Sequence, residues 1–158
     1  VNLWEKAEYV NKKGETVQTE RAIRVKVSEM TENINRKVIS RGTRAVNAIR
    51  SAELRILKGQ RSGKVYRKPY TKATYTASAP GESPARRTGN LRLHWNGQVK
   101  ADSVMDGGVT VIAQLESQEA YAGALEYGTK KIAPRPFVEK IQKEAEPEIR
   151  KIYSEPYT

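Results

Sequence analysis

The chain is 158 residues long, 37% apolar and 30% charged, with a formal net charge of +11. That length supports one ordinary domain, and no apolar run approaches the roughly 20 residues that span a bilayer. There is no cysteine, which excludes disulfide staples, thiol nucleophiles and the common zinc sites built on paired cysteines. The charge is unevenly placed. Residues 21–75 carry fifteen Lys or Arg against three Glu, whereas residues 101–158 carry seven basic and ten acidic side chains. A basic segment favours nucleic acid or an acidic protein face. Halves of opposite sign also suit head-to-tail packing of identical subunits.

Residues 1–18 show no period and read as an N-terminal arm, with a turn signal at Asn11-Lys12-Lys13-Gly14 and no apolar signal core around Trp4. Residues 19–58 read as one long helix. Ile23, Val27, Met30, Ile34 and Val38 are spaced to share a face, and Val46, Ile49 and Ile56 continue it. Thr19 suits the cap and Glu20 the first turn, with Gly59 as the stop. Gly42 falls on the stripe, where a kink or break is expected. The opposite face is assigned Arg24, Arg36, Lys37, Arg41, Arg44, Arg50 and Arg55.

Residues 60–87 form a basic, Tyr-bearing stretch with strand-like composition at 64–68 and 74–76. Pro69 argues against a central strand, and residues 79–85 form a tight loop. Residues 88–116 read as a sheet, with strands 91–99 and 104–115 flanking the hairpin signal Asp106-Gly107-Gly108. Residues 136–153 return to helical spacing, with Phe137, Ile141, Ala145, Ile149 and Ile152 on one stripe. Pro136 suits the first turn, and Pro147 is expected to bend or split the helix. The order is a long amphipathic helix, a small antiparallel sheet and a C-terminal helix packed on it. This is an α+β pattern in one domain, 19–153, with a tail at 154–158.

No catalytic or metal set stands out. The one histidine, His94, has no Cys or second His to ligate with, and no nucleophile motif frames a serine. No phosphate-binding loop follows Gly107-Gly108. The carboxylates Glu139, Glu144, Glu146 and Glu148 interleave with lysines as a solvated helix face. Arg61, Lys64, Arg67, Lys68 and Lys72, interleaved with Tyr66, Tyr70 and Tyr75, are candidates for contact with DNA or an acidic partner. A solvent-exposed basic hairpin is the plainer reading of the same residues.

Three further segments carry a resemblance. The first is the loop 77–85, with Pro80, Gly81 and Glu82, running into Thr88-Gly89-Asn90-Leu91-Arg92. The second is Tyr121-Ala122-Gly123-Ala124-Leu125-Glu126-Tyr127-Gly128-Thr129. The third is Pro134-Arg135-Pro136-Phe137. In order and spacing they resemble the head–tail joining (neck or tail-completion) proteins of siphophages and related prophages, over residues 60–153. The resemblance implies a strand beginning near Leu91, and the residue types themselves suit burial of Leu125 and of the rings of Tyr121 and Tyr127. Glu126 would pair with Arg92 or Arg135, and Phe137 would anchor the last helix.

It implies a role rather than a reaction. The protein would be a virion component, assembled in the host cytoplasm, with no enzyme activity and no cofactor. It would form a ring, hexameric by analogy with the tail or dodecameric by analogy with the portal, around a channel for DNA. Its partners would be head-closure or adaptor proteins and the tail terminator or tube, with no membrane and at most non-specific contact with passing DNA. Two alternatives stay open: a tail-terminator ring, and a small basic nucleic-acid-binding protein.

Overall fold

A computed structural model describes residues 15–157; of residues 15–22 and 106 it describes the backbone only. The fold is mixed α+β: a long N-terminal helix, two small antiparallel sheets and a C-terminal helix packed against them. Helix α1 runs Glu15–Lys58, about 66 Å at the usual helical rise. It begins four residues before the expected start, because no Gly or Pro interrupts the chain between residues 15 and 41. Residues 1–14 of the expected arm lie outside the described residues.

Strands β1 (Val65–Arg67) and β2 (Thr74–Thr76) pair as a short hairpin, with Pro69 in its turn as expected. Helix α2 (Asn90–Leu93) is a single turn; β3 (Trp95–Ser103) and β4 (Val109–Ser117) then form the main hairpin. A strand was expected from Leu91. Instead Gly89, at φ 99°, turns the chain into one helical turn, and the strand starts at Trp95. The register, from Trp95 opposite Ser117 to Ser103 opposite Val109, puts Gly97, Val99, Val111, Ala113 and Leu115 on one face. Polar Asn96, Gln98 and Gln114 take the other.

Gly42 does not break α1. It lies where the main hairpin presses on the helix: a Cβ there would stand 2.7 Å from Val111 Cγ1 and 3.1 Å from Val99 Cγ1. The contact is reciprocal, because a Cβ on Gly97 would stand 2.6 Å from Val46 Cγ1. Two missing side chains therefore let helix and sheet approach closely. At the far end Asn35 Nδ2 donates to Gly107 O at 2.9 Å, tying the hairpin tip to α1.

Helix α3 (Ala122–Tyr127) leads to α4 (Val138–Ser154), which runs antiparallel to α1; Arg55 pairs with Glu144 and Arg44 with Glu155. The expected stripe on α4 is buried: Phe137, Ile141 and Ala145 meet Ala52 and Leu57, with Ile149 and Trp95 packed around them. Phe137, 1% exposed, meets Trp95 edge-on at 6.2 Å. Pro147 does not split α4. It lies on the solvent side, so the carbonyl it leaves unpaired faces water.

The stripe on α1 is only half covered. Beyond the end of α4, Ile23, Val27, Met30 and Ile34 are exposed. Arg41, expected on the face opposite the apolar stripe, is 3% exposed. Its Nη2 donates to Glu155 O at 2.5 Å and Pro156 O at 2.8 Å, and its guanidinium lies 3.7 Å from the centre of the Tyr157 ring. Arg44 grips the Glu155 carboxylate with both Nη atoms at 2.6 Å, and Lys37 donates to Tyr157 O at 2.7 Å. The pairing raises Arg44 and lowers Glu155 from their ordinary pKa values. Residues 155–157, within the tail expected at 154–158, are thus clasped to α1.

Two substitutions check this packing. Gly42→Ala should lower stability despite the better helix former, by about 1 kcal/mol or more. Adding Val111→Ala should recover most of that loss; urea unfolding of the four species reads it. Arg41→Ala should cost about 2–4 kcal/mol, and deleting residues 155–158 should cost a similar amount. A loss well under 1 kcal/mol for both would show that the clasp is not structural.

Candidate interface groove

The three motif segments, far apart in sequence, converge at the base of the main hairpin. Each locks the next through backbone groups. Arg135 Nη1 donates to the carbonyl and hydroxyl of buried Ser78. Gly81 N donates to Pro134 O at 3.1 Å, Ser83 Oγ to Pro136 O at 3.3 Å and Arg135 N to Leu125 O at 2.8 Å. Glu82 draws in three donors: Ser62 Oγ at 2.5 Å, Ser62 N at 3.1 Å and Ala79 N at 2.8 Å. These hydrogen bonds, the Ser62 hydroxyl first, hold its pKa down at about 2.

Glu126 pairs with neither Arg92 nor Arg135. Its Oε2 accepts from Phe137 N at 2.8 Å and Val138 N at 3.2 Å, so it caps the start of α4 from a distant segment. Gly128, at φ 76°, has backbone and Pro134 atoms within 2.8–2.9 Å of any added Cβ. Thr129 closes the adjoining turn by accepting from Lys131 N and Ile132 N. Tyr127 was expected to bury its ring but is 83% exposed. Tyr121 is also partly exposed; burial of its remainder, then the nearby Glu119 charge, raises its pKa.

Around these locks lies an open groove of about 700 Å³. Leu57, Pro84, Leu91, Leu125 and Ile132 give it an apolar floor, and Tyr66, Tyr75 and Tyr121 add rings. Four arginines line it: Arg86, Arg87, Arg92 and Arg135. Among the described residues no carboxylate does. Arg86 and Arg87 are exposed. The Arg92 Nε is buried without a hydrogen-bond partner among the described residues. Pro80, Thr88 and Gly89 shape the turns beside it, and Pro134 and Pro136 fix the entry to α4.

The basic candidates divide. Arg61 is used internally, donating to Pro84 O at 3.1 and 3.0 Å and to Ile56 O at 2.9 Å; burial lowers its pKa. Arg67 Nε donates to Thr71 O at 2.8 Å within its own hairpin. Lys64 and Lys72 are exposed, and Lys64 Nζ stands 5.7 Å from the Tyr66 ring, which stacks on Tyr75 at 5.9 Å. Lys68 is half-buried at the turn. Arg86 and Arg87 escaped the sequence reading as site residues, although an Arg pair beside a Pro-Gly loop was the available signal.

Beneath the groove, Arg50 bridges Glu53 and the Arg92 carbonyl. Glu53 is 0% exposed, and burial pushes its pKa up to about 7 against the opposing pull of Arg50. His94 Nδ1 and Glu119 Oε1 lie 2.5 Å apart at the surface. Among the described residues no group of acidic and His side chains could hold a metal ion, and no helix is long and apolar enough to cross a membrane. No family model, curated protein or solved structure matches the chain.

Glu53 makes a pH prediction. Its folded pKa is raised above the unfolded value of about 4.5, so the fold binds its proton more tightly. Stability from this group is therefore lost as pH rises from about 4.5 through about 7. Glu53→Gln should melt higher than the parent at pH 8, with the difference shrinking toward pH 5. Parallel melting profiles across that window would show that Glu53 does not titrate in this way.

Proposed function

We propose that this chain is a structural subunit of a long-tailed bacteriophage neck. It would form a ring at the head–tail junction, join the filled head to the tail and leave a channel for DNA. The observation that carries the reading is the convergence of the three family-like segments on one groove at one end of the molecule. Their residues hold one another through backbone groups and through the Arg135 and Glu126 side chains, which is what a scaffold needs. The groove and the uncovered stripe from Ile23 to Ile34 are two separate surfaces suited to protein contact. A closed ring repeats one heterologous contact from copy to copy.

A nucleic-acid-binding role has one observation in its favour, the Tyr66–Tyr75 stack with Lys64 beside it. Duplex titrations in rising salt separate the two. A structural subunit should bind weakly and lose that binding with salt. Tight, sequence-selective binding at physiological salt overturns the neck reading. Electron microscopy of the protein alone, or with neck partners, should show closed rings with an axial hole. Virions lacking the protein should accumulate filled heads and tails of normal length; overlong tails would assign it as the terminator.

A further inference from the structure

The tip of the β3–β4 hairpin has a composition opposite to that of the groove. The stretch Asp102-Ser103-Val104-Met105-Asp106 has two carboxylates and no cation. Met105 is 93% exposed and Val104 about half exposed. A thioether held out in water this far has no role in the fold of its own chain. The tip is also a fixed platform. Residues Met105–Gly107 form a 3-10 turn closed by Val104 N donating to Gly108 O at 3.0 Å, and Asn35 tethers the Gly107 carbonyl. Its presentation therefore loses little entropy on docking.

The groove supplies what the tip lacks. It has an apolar floor at Leu57, Leu91 and Leu125, and arginines without carboxylates on its walls. Tip and groove sit at opposite ends of the same hairpin, since Arg92 and Tyr121 flank the base pair Trp95–Ser117. Nine residues of strand separate them, roughly 30 Å. They cannot meet within one chain.

We infer that Met105 and Asp102 at the hairpin tip of one copy seat in the arginine-lined groove of a second copy. Met105 fills the apolar floor, and Asp102 faces Arg86 and Arg87. Each copy is donor at one end and acceptor at the other, a heterologous contact that repeats and closes when its rotation allows. The inference rests on the ring reading and names the contact that builds the ring. An apolar floor and a groove of this volume favour a protein side chain over a nucleic-acid strand.

The absence of cysteine makes the test clean. The full chain carrying Met105→Cys with Ala85→Cys, or with Thr88→Cys as a second acceptor, is oxidised mildly and run on a denaturing gel. The expected result is a ladder of covalent oligomers ending at one top size. Adding Arg86→Glu and Arg87→Glu should cut the ladder about tenfold or more, the equivalent of one lost charge-assisted contact. Each variant is checked for folding by circular dichroism. Met105→Cys with Ser51→Cys, on the exposed side of α1, sets the background.

A ladder no stronger than that background overturns the inference. So does a ladder indifferent to the arginine changes, or one that a single-stranded oligonucleotide abolishes by occupying the groove. The ring reading fails separately. Rings that persist in Met105→Asp, with no ladder above background in the cysteine variants, remove this contact and keep the ring. An arginine-dependent ladder that grows without a top size keeps the contact and removes the ring.

Discussion

The close approach of α1 to the main hairpin constrains everything else in the molecule. Gly42 on the helix and Gly97 on the sheet each leave out a side chain so that Val111, Val99 and Val46 can fill the space. With that contact made, the hairpin is fixed along the middle of α1 and its tip is held by Asn35. Its base lies near Leu57, where α4 delivers Phe137 and the motif loops gather. The adjoining face of α1 is left for α4. The groove is therefore a consequence of where a helix and a sheet can touch.

What the sequence made legible follows from period and burial. The α4 stripe could be read from spacing alone, because a partner covers its whole length. The same spacing at Ile23, Val27, Met30 and Ile34 named the right face of α1 but not its environment, because periodicity does not report where a partner ends. Arg41 sits in the register of that stripe, between Val38 and Ala45, and was read by its charge instead of its position. Asn90-Leu91-Arg92-Leu93 is too short for composition to separate a helical turn from a strand. The conformation of Gly89 decides it.

The candidate site shows a different division. The motifs marked the right place, yet many of their members are consumed inward. Glu82 gathers loop donors, Glu126 caps a helix, Gly128 makes room for backbone and Phe137 fills the core. The side chains left facing outward, Arg86, Arg87 and Tyr121, lie between or beside those members. Long-range capping such as that of Glu126 leaves no local trace in a sequence, since its partners are eleven and twelve residues away in another element.

The clasp around residues 155–157 bears on the order in which the chain can fold. Arg41 and Glu155 are 114 positions apart, so this loop closes against a large entropic cost and belongs to the slow, non-local class of contacts. During synthesis α1 emerges before α4, carrying a bare apolar stripe and an arginine whose hydrogen-bond acceptors have not yet been made. The main hairpin can dock on it at Gly42 and Val46, but the face that α4 covers stays open until α4 arrives. Apolar surface that opens onto water before its cover is made is what chaperones act on in such intermediates.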